Sequence, residues 1–251
     1  FKTANLEDIY VEDQAGDTLL YAHELKADIG IFNLFGSEIF LNSASLEGAV
    51  VDLHRYEADS VFNYQFIIDA FATSTPKDTT AAPWTFGIGS LSLQDVRFDM
   101  LDEGEGRFDL KTRVATWEVN VDELDLAQFT IALDNVDLSN SEVSFRLLTR
   151  DSAQIQPAKT DTSELQFPGI GWTVTADKIR LENNRLAFHD DNAPRLQKAL
   201  DYSHLDLQDL QLSINDFRYA DDGILLKLNK AAFKDANGFV LEGLEGDVKV
   251  L

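Results

Sequence analysis

Four histidines, His23, His54, His189 and His204, are the side chains in this sequence best suited to bind a transition metal or move a proton near neutral pH. None stands at a spacing that joins it to a second ligand or to a triad. "HDD" at 189–191 is the nearest thing to a cluster, and a surface turn is the setting expected of these histidines. "DMLDEGEGRFD" sets Asp99, Asp102, Glu103 and Glu105 beside glycines, as a calcium loop would. It lacks the alternating ligand register and closing glutamate of such a loop, so it reads as a solvated hairpin. With 44 carboxylates, pairs spaced for glycoside hydrolysis are always available, yet none has a distinguishing aromatic or basic setting. "GIGS" and "PGIG" lack both the Lys-Ser/Thr of a phosphate loop and dinucleotide spacing. The residues therefore point to no catalytic group, no metal and no cofactor, and a carboxylate-pair hydrolase ranks last among the readings.

Composition narrows the partners. The formal net charge is −23, and a nucleic-acid duplex is a poor partner for such a chain because phosphate binding needs clustered Lys and Arg. The acids alternate with apolar residues through strand-like stretches, the pattern of a solvated outer face. There is no cysteine, so disulfides and thiolate sites are excluded. No apolar run approaches the roughly 20 residues that span a bilayer as a helix. The sequence starts at Phe1 in strand-like residues and still reads as strand in "GDVKVL", which suggests a segment of a longer chain.

Period-two patterning dominates in "EIFLNSA", "AVVDLHR", "LSLQDVRF", "TWEVNVDELDL", "FTIALDNVDL", "EVSFRLL", "WTVTADKIRL", "RLAFHD", "LDLQDLQLSI" and "GILLKLNKAAF", with turns at "EGEG", "ADDG" and "DANG". Helical signals are few. Residues 59–72 place Phe62, Phe66 and Ile67 on one face with Asp59 as N-cap, 191–200 read as a second short capped helix, and "IFNLF" near 31–35 as one more turn. Stretches 73–83 and 150–169 read as a linker and a loop, dividing the chain into units 1–72, 84–149 and 170–251. Val11, Phe98 and Phe188 recur at similar places in these units, 87 and 90 residues apart.

The strands share an irregularity. Leu91 and Leu93 are followed by Val96 and Phe98, Ile131 and Leu133 by Val136 and Leu138, and Leu205 and Leu207 by Leu210 and Leu212. Each run skips one residue and so reverses its facing. Two readings account for this: a bulge within one strand, repeated so as to curve the sheet, or a tight turn between two strands.

"YVEDQAGDTLLYA", "NLFGSEIFLNSASLEGAVVDL" and "FNYQFIIDAF", with the later "LSLQDVRFDMLDE" and "KIRLENNRLAFHDDN", resemble the AsmA-like family, most closely its translocation-and-assembly-module type. The resemblance implies a mostly β, repeat-built curved sheet, a half-pipe or taco-shaped groove with one or two short helices. It implies a periplasmic location within an inner-membrane-anchored protein and a part in outer-membrane biogenesis. The partners it implies are phospholipid and, through regions outside this segment, a BamA/TamA-type outer-membrane barrel.

A sheet with one apolar face must cover it, since water contact costs about 25 cal/mol per Å², and few helices are on offer. Candidate groove residues are Leu93, Val96, Phe98, Ile131, Leu133, Val143, Phe145, Phe188, Leu212 and Ile214. The helix with Phe62, Phe66 and Ile67 is the element expected to cross the sheet. It lacks Lys and Arg, which disfavours an interfacial membrane helix. The competing class is a scaffold with a closed core that holds protein partners.

Overall fold

A computed structural model describes residues 2–33, 38–72, 85–104, 106–125, 128–149, 171–196 and 200–250. The expected linker at 73–83 and loop at 150–169 lie outside them. The described chain is mostly β, one mixed sheet of twelve strands. In order the strands are β1 (Lys2–Glu12), β2 (Thr18–Asn33), β3 (Glu38–Arg55), β4 (Thr85–Ile88), β5 (Ser90–Asp102), β6 (Phe108–Asp125), β7 (Thr130–Ser139), β8 (Glu142–Leu147), β9 (Thr173–Asp190), β10 (His204–Ala220), β11 (Gly223–Asp235) and β12 (Val240–Val250).

The strands occupy ten lateral positions. β4 and β5 lie end to end beside β3, and β7 and β8 lie end to end between β6 and β9. Consecutive strands pair antiparallel except at two places, β3 with β4 and β5 and β7 and β8 with β9, where the pairing is parallel. Parallel neighbours need a crossover connection, and those connections are 56–84 and 148–172. The result is three antiparallel meanders fused into one sheet, whose outer edges are β1 and β12.

The skipped residues are kinks inside continuous strands, not hairpin turns. β5 runs through Gln94 and Asp95, β7 through Asp134 and Asn135, and β10 through Gln208 and Asp209. Asp8, Asp95, Asn183 and Asp209 have φ of 52–53°, Asn140 between β7 and β8 has 53°, and Gly48 in β3 has 61°. This left-handed region is open to glycine and tolerated by Asn and Asp, which explains the residue types at these kinks.

The kinks are in register. The flanking pairs put Asp8 opposite His23, His23 opposite Gly48, Gly48 level with Asp95, Asp95 opposite Ala115, Ala115 opposite Asn140, and Asn140 level with Asn183. The β9–β10 ladder shifts where Asp209 continues the line. A single transverse crease therefore crosses the strands, and every strand it crosses reverses its facing there. A second line of irregularities runs through Asn42, Gly89, Val121, Asp134, Asp177 and Asp216, of which Asp216 has φ 54°.

The only helix among the described residues, α1 (Gln65–Ala72), is shorter than the expected 59–72. Asp59 is not its cap: its carboxylate accepts from the Tyr56 N–H at 3.1 Å and closes a turn before the helix. The expected helix at 191–200 is absent from its described residues. Asp190 holds the Asn192 N–H at 2.9 Å, and Asp201 holds the Leu196 N–H at 2.8 Å, in a turn joining β9 to β10. Residues 31–33 belong to β2, so no helical turn starts there.

Candidate functional site

Two reversals of facing cancel, so residues on both sides of the crease point the same way. Leu6, Leu25, Leu46, Leu93, Trp117, Leu138 and Leu181 form the row on one side. Ile9, Ala22, Ala49, Val96 and Val114 form the row on the other. Ile9, Leu46, Leu93, Trp117 and Leu138 pack against Ala22, Ala49, Val96 and Val114, across the crease and on one face. The row of Ala22, Ala49, Val96 and Val114 is buried although no described element lies over it, as a bend of the sheet toward this face would produce, and the crease is then the floor of a trough. Small residues fit the floor best: Ala22 and Ala49 are fully buried, at 0% and 1% exposure.

The ten candidate groove residues all lie on this face. Leu93 and Val96 flank the crease. Phe98 and Val143 stand in the next row, level with Val51, Thr112 and Leu186. Phe145 and Phe188 stand one row further out, level with Leu53, Met100, Leu110 and Leu205. Phe108, Phe145 and Phe188 stack at 5.7 and 6.2 Å between centroids, a ladder of rings along the wall. On the other wall Leu212 pairs with Leu181 and Ile214 with Ile179. Beyond the second line, Leu133 lies beside buried Ala176, and Ile131 beside Val174.

Among the described residues, this face has no covering layer. The strands that touch are sheet neighbours, and no second sheet or helix packs over them among the described residues. Among the described residues twelve apolar residues are buried, five of them alanine and none phenylalanine. A closed core would bury its largest side chains first. Here Phe98, Phe145 and Phe188 stay half-open. Nine interstrand spacings of about 4.8 Å carry the trough roughly 43 Å across the strands, and an acyl chain needs about 15 Å, half the hydrocarbon core.

The opposite face is polar. Arg97, Arg113, Glu142 and Arg185 form one outward row, and Arg185 pairs with Asp206 through two bonds of 2.9 and 2.7 Å. These exposed pairs add little stability, but they keep that face wet.

Strand ends at one rim are fastened by buried aspartates, and two of the four histidines, His54 and His204, belong to this set. Asp102 is 2% exposed. It accepts from Arg55 Nε at 2.9 Å and Nη2 at 2.7 Å, and from the N–H groups of Gly104 and Gly106. The Arg55 guanidinium holds its pKa below the usual carboxylate value, against burial. The acidic stretch at 99–109 is thus a hairpin whose central acid is internal, not solvated. At the β1–β2 turn, burial pushes the Asp13 carboxyl up, but bonds from the Asp17 and Ala15 N–H groups and the Asn63 amide outweigh it and the net shift is down.

His54 stands 3.8 Å from Asp13 and 3.3 Å from Asp52, and buried His204 stands 3.0 Å from Asp201, so neither occupies the surface turn expected of these histidines. No group of three or more metal-ligating side chains occurs among the described residues. Phe62 precedes α1 and stacks on Tyr64 at 5.3 Å, with the Arg55 guanidinium 4.9 Å over its ring. Phe62 and Phe66 line a rim cavity of about 530 Å³ with Asp13, Asp17 and His54. Asn63 pins this segment by donating to the Asp52 carbonyl at 3.1 Å and accepting from the His54 N–H at 3.0 Å. Ile67 lies within α1, two residues into it.

Comparison with protein-family models, with curated proteins and with solved structures returns no match to this chain.

Proposed function

We propose that this chain is a segment of a TamB-like protein of the AsmA-like family, and that its trough holds phospholipid acyl chains in transit across the periplasm toward the outer membrane. The observation that carries this reading is the uncovered apolar face: a ten-position sheet, folded along a crease, that leaves its phenylalanines half-open. Acyl chains would supply the missing layer, burying area at about 25 cal/mol per Å² without any catalytic group. Headgroups would lie at the rims. Partnership with a BamA/TamA-type barrel belongs to regions outside this segment.

A face-resolved crosslink tests the reading. A photoreactive amino acid placed at Phe98, Phe145 or Phe188 should capture phospholipid in membrane extracts or in vivo. The same group at the outward neighbours Arg97, Ser144 or Ala187 should not. Equal capture on both faces, or none on either, rejects a lipid trough.

The competing reading, a scaffold that holds protein partners, draws on the fully buried Ala22 and Ala49 of the crease floor, where the protein's own side chains fill the space. Protein adducts from the inward positions, in place of lipid, would favour it.

A further inference from the structure

The wall that carries the phenylalanine ladder ends at a charged cavity. Two residues beyond the inward row of Leu53, Met100 and Leu110, the same strands bring Arg55, Asp102 and Phe108 level with one another on the trough face. Phe108 is the first ring of the ladder. Beside this row lies a rim cavity of about 630 Å³, to which Arg55, Glu57, Asp59, Glu103 and Arg107 contribute. Arg55 gives its Nε and Nη2 to the buried Asp102, so that pair is neutral as a unit. Among the described residues, this leaves one guanidinium, Arg107, and three carboxylates at the cavity. Arg107 Nη2 is 3.5 Å from Glu57, a loose contact with a side chain that is 75% exposed.

The wall also has the length of a lipid tail. Six residues of β5 separate Asp102 at the rim from Val96 at the crease, about 20 Å of strand. An acyl chain needs about 15 Å. A headgroup seated in the cavity therefore lets its chains run over Phe108, Phe145 and Phe98 and stop at the floor.

We infer that this cavity holds the headgroup of a zwitterionic phospholipid, its phosphate toward Arg107 and its ammonium among Glu57, Asp59 and Glu103. The inference rests on the lipid reading of the trough and narrows it to lipids with amine headgroups. A headgroup that carries only the phosphate charge would meet three carboxylates for one guanidinium and bring no cation to offset them. Exposed ion pairs are individually weak. The cavity thus sorts headgroups by charge, while the buried acyl chains supply the affinity.

Vesicles of equal phosphatidylethanolamine and phosphatidylglycerol test this. The chain would be incubated with them and separated, and its bound lipids counted by mass spectrometry. Phosphatidylethanolamine should lead by about threefold, the scale of one exposed ion pair. A Glu57→Gln, Glu103→Gln variant keeps an acceptor at each place and should bring the ratio toward one with total lipid unchanged. The whole chain, at −23, repels anionic lipid from a distance. An Asp122→Asn, Glu123→Gln variant at the far end of β6 removes as much charge and should keep the parent's ratio. Circular dichroism confirms that each variant is folded. Excess soluble glycerophosphoethanolamine should leave the preference in place; if it erases it, the cavity takes a free zwitterion and the lipid assignment falls. A parent ratio of one with phospholipid bound, or equal ratios in the two double variants, would overturn the headgroup inference and leave the trough standing. A folded parent without any phospholipid would overturn the trough reading and this inference together.

Discussion

The side-chain amide of Asn183 in β9 donates to the side-chain oxygen of Asn140, beside it in the sheet, at 2.7 Å, and both residues have a left-handed backbone. Their inward neighbours Asn184 and Ser141 are buried and joined as well: the Ser141 N–H donates to the Asn184 side-chain oxygen at 2.8 Å. Side chains on both faces thus bind the kink of one strand to that of the next. The crease is a cooperative feature of the sheet, and the trough depends on it.

Substitution at the kink should follow backbone preference. Asp95 is exposed with φ 52°. Asp95→Gly should leave the urea midpoint nearly unchanged. Asp95→Val places a β-branched residue in a conformation it resists and should cost about 2 kcal/mol. Equal midpoints for the two would mean that the left-handed kink is not what holds the crease.

The Arg55–Asp102 pair ties the end of β3 to the β5–β6 hairpin. Asp102→Asn removes the charge and leaves Arg55, only 15% exposed at its side chain, without its carboxylate. A loss of about 2–3 kcal/mol in unfolding free energy is expected. A loss no larger than that from breaking the exposed Arg185–Asp206 pair would show that the burial of Asp102 is energetically idle.

Stability should fall in acid. The carboxyls of Asp13, Asp102 and Asp201 lie below their unfolded values when the chain is folded. Their contribution is therefore complete above the unfolded pKa of about 3.9 and is lost as pH drops through the lower folded values. Burial shifts Asp99 upward, which opposes this in part. Thermal midpoints should be flat from neutral pH to about 5 and fall below about 4. Asp102→Asn should flatten that fall. A midpoint rising through the same range would contradict the assignment.

Gly89 on the second line of irregularities and Gly87 beside it in β4 should differ in tolerance. A Cβ on Gly89 would lie 2.8 Å from the Asn42 carbonyl oxygen, a backbone atom that the ladder holds. On Gly87 it would lie 2.6 Å from the Phe40 ring, a side chain that is 37% exposed and able to swing aside. Gly89→Ala should cost about 1–3 kcal/mol and Gly87→Ala less. The reverse order in a denaturant series would show that the β4–β5 junction is not a close approach.

Much of this architecture was legible in the sequence. The alternation in β5, β7 and β10 marked the strands, and the skipped residues at Asp95, Asp134 and Asp209 marked the kinks. Their alignment was not legible, because register depends on pairing partners far apart in sequence. β2 was largely hidden: at its inward positions Ala22 and Ala27 stand in place of the large apolar residues that signal a strand, and the crease floor leaves Ala22 no room to be larger. The histidines misled in another way. Exposure cannot be read from a residue beside turn signals, and His204 is drawn inside by Asp201 three positions earlier. The helix at 59–72 was overextended because Phe62 has helical spacing to Phe66, whereas Asn63 is held in the rim by Asp52, Asp13 and His54.

The most direct test of the trough is what the purified chain carries. The chain would be isolated without harsh detergent and extracted with organic solvent, and phospholipid per protein counted by mass spectrometry. A Phe98→Glu, Phe145→Glu variant of confirmed fold would run beside it. The account predicts stoichiometric phospholipid on the parent and its loss from the variant. A folded, monodisperse parent free of phospholipid, or a variant that retains it, would contradict the account.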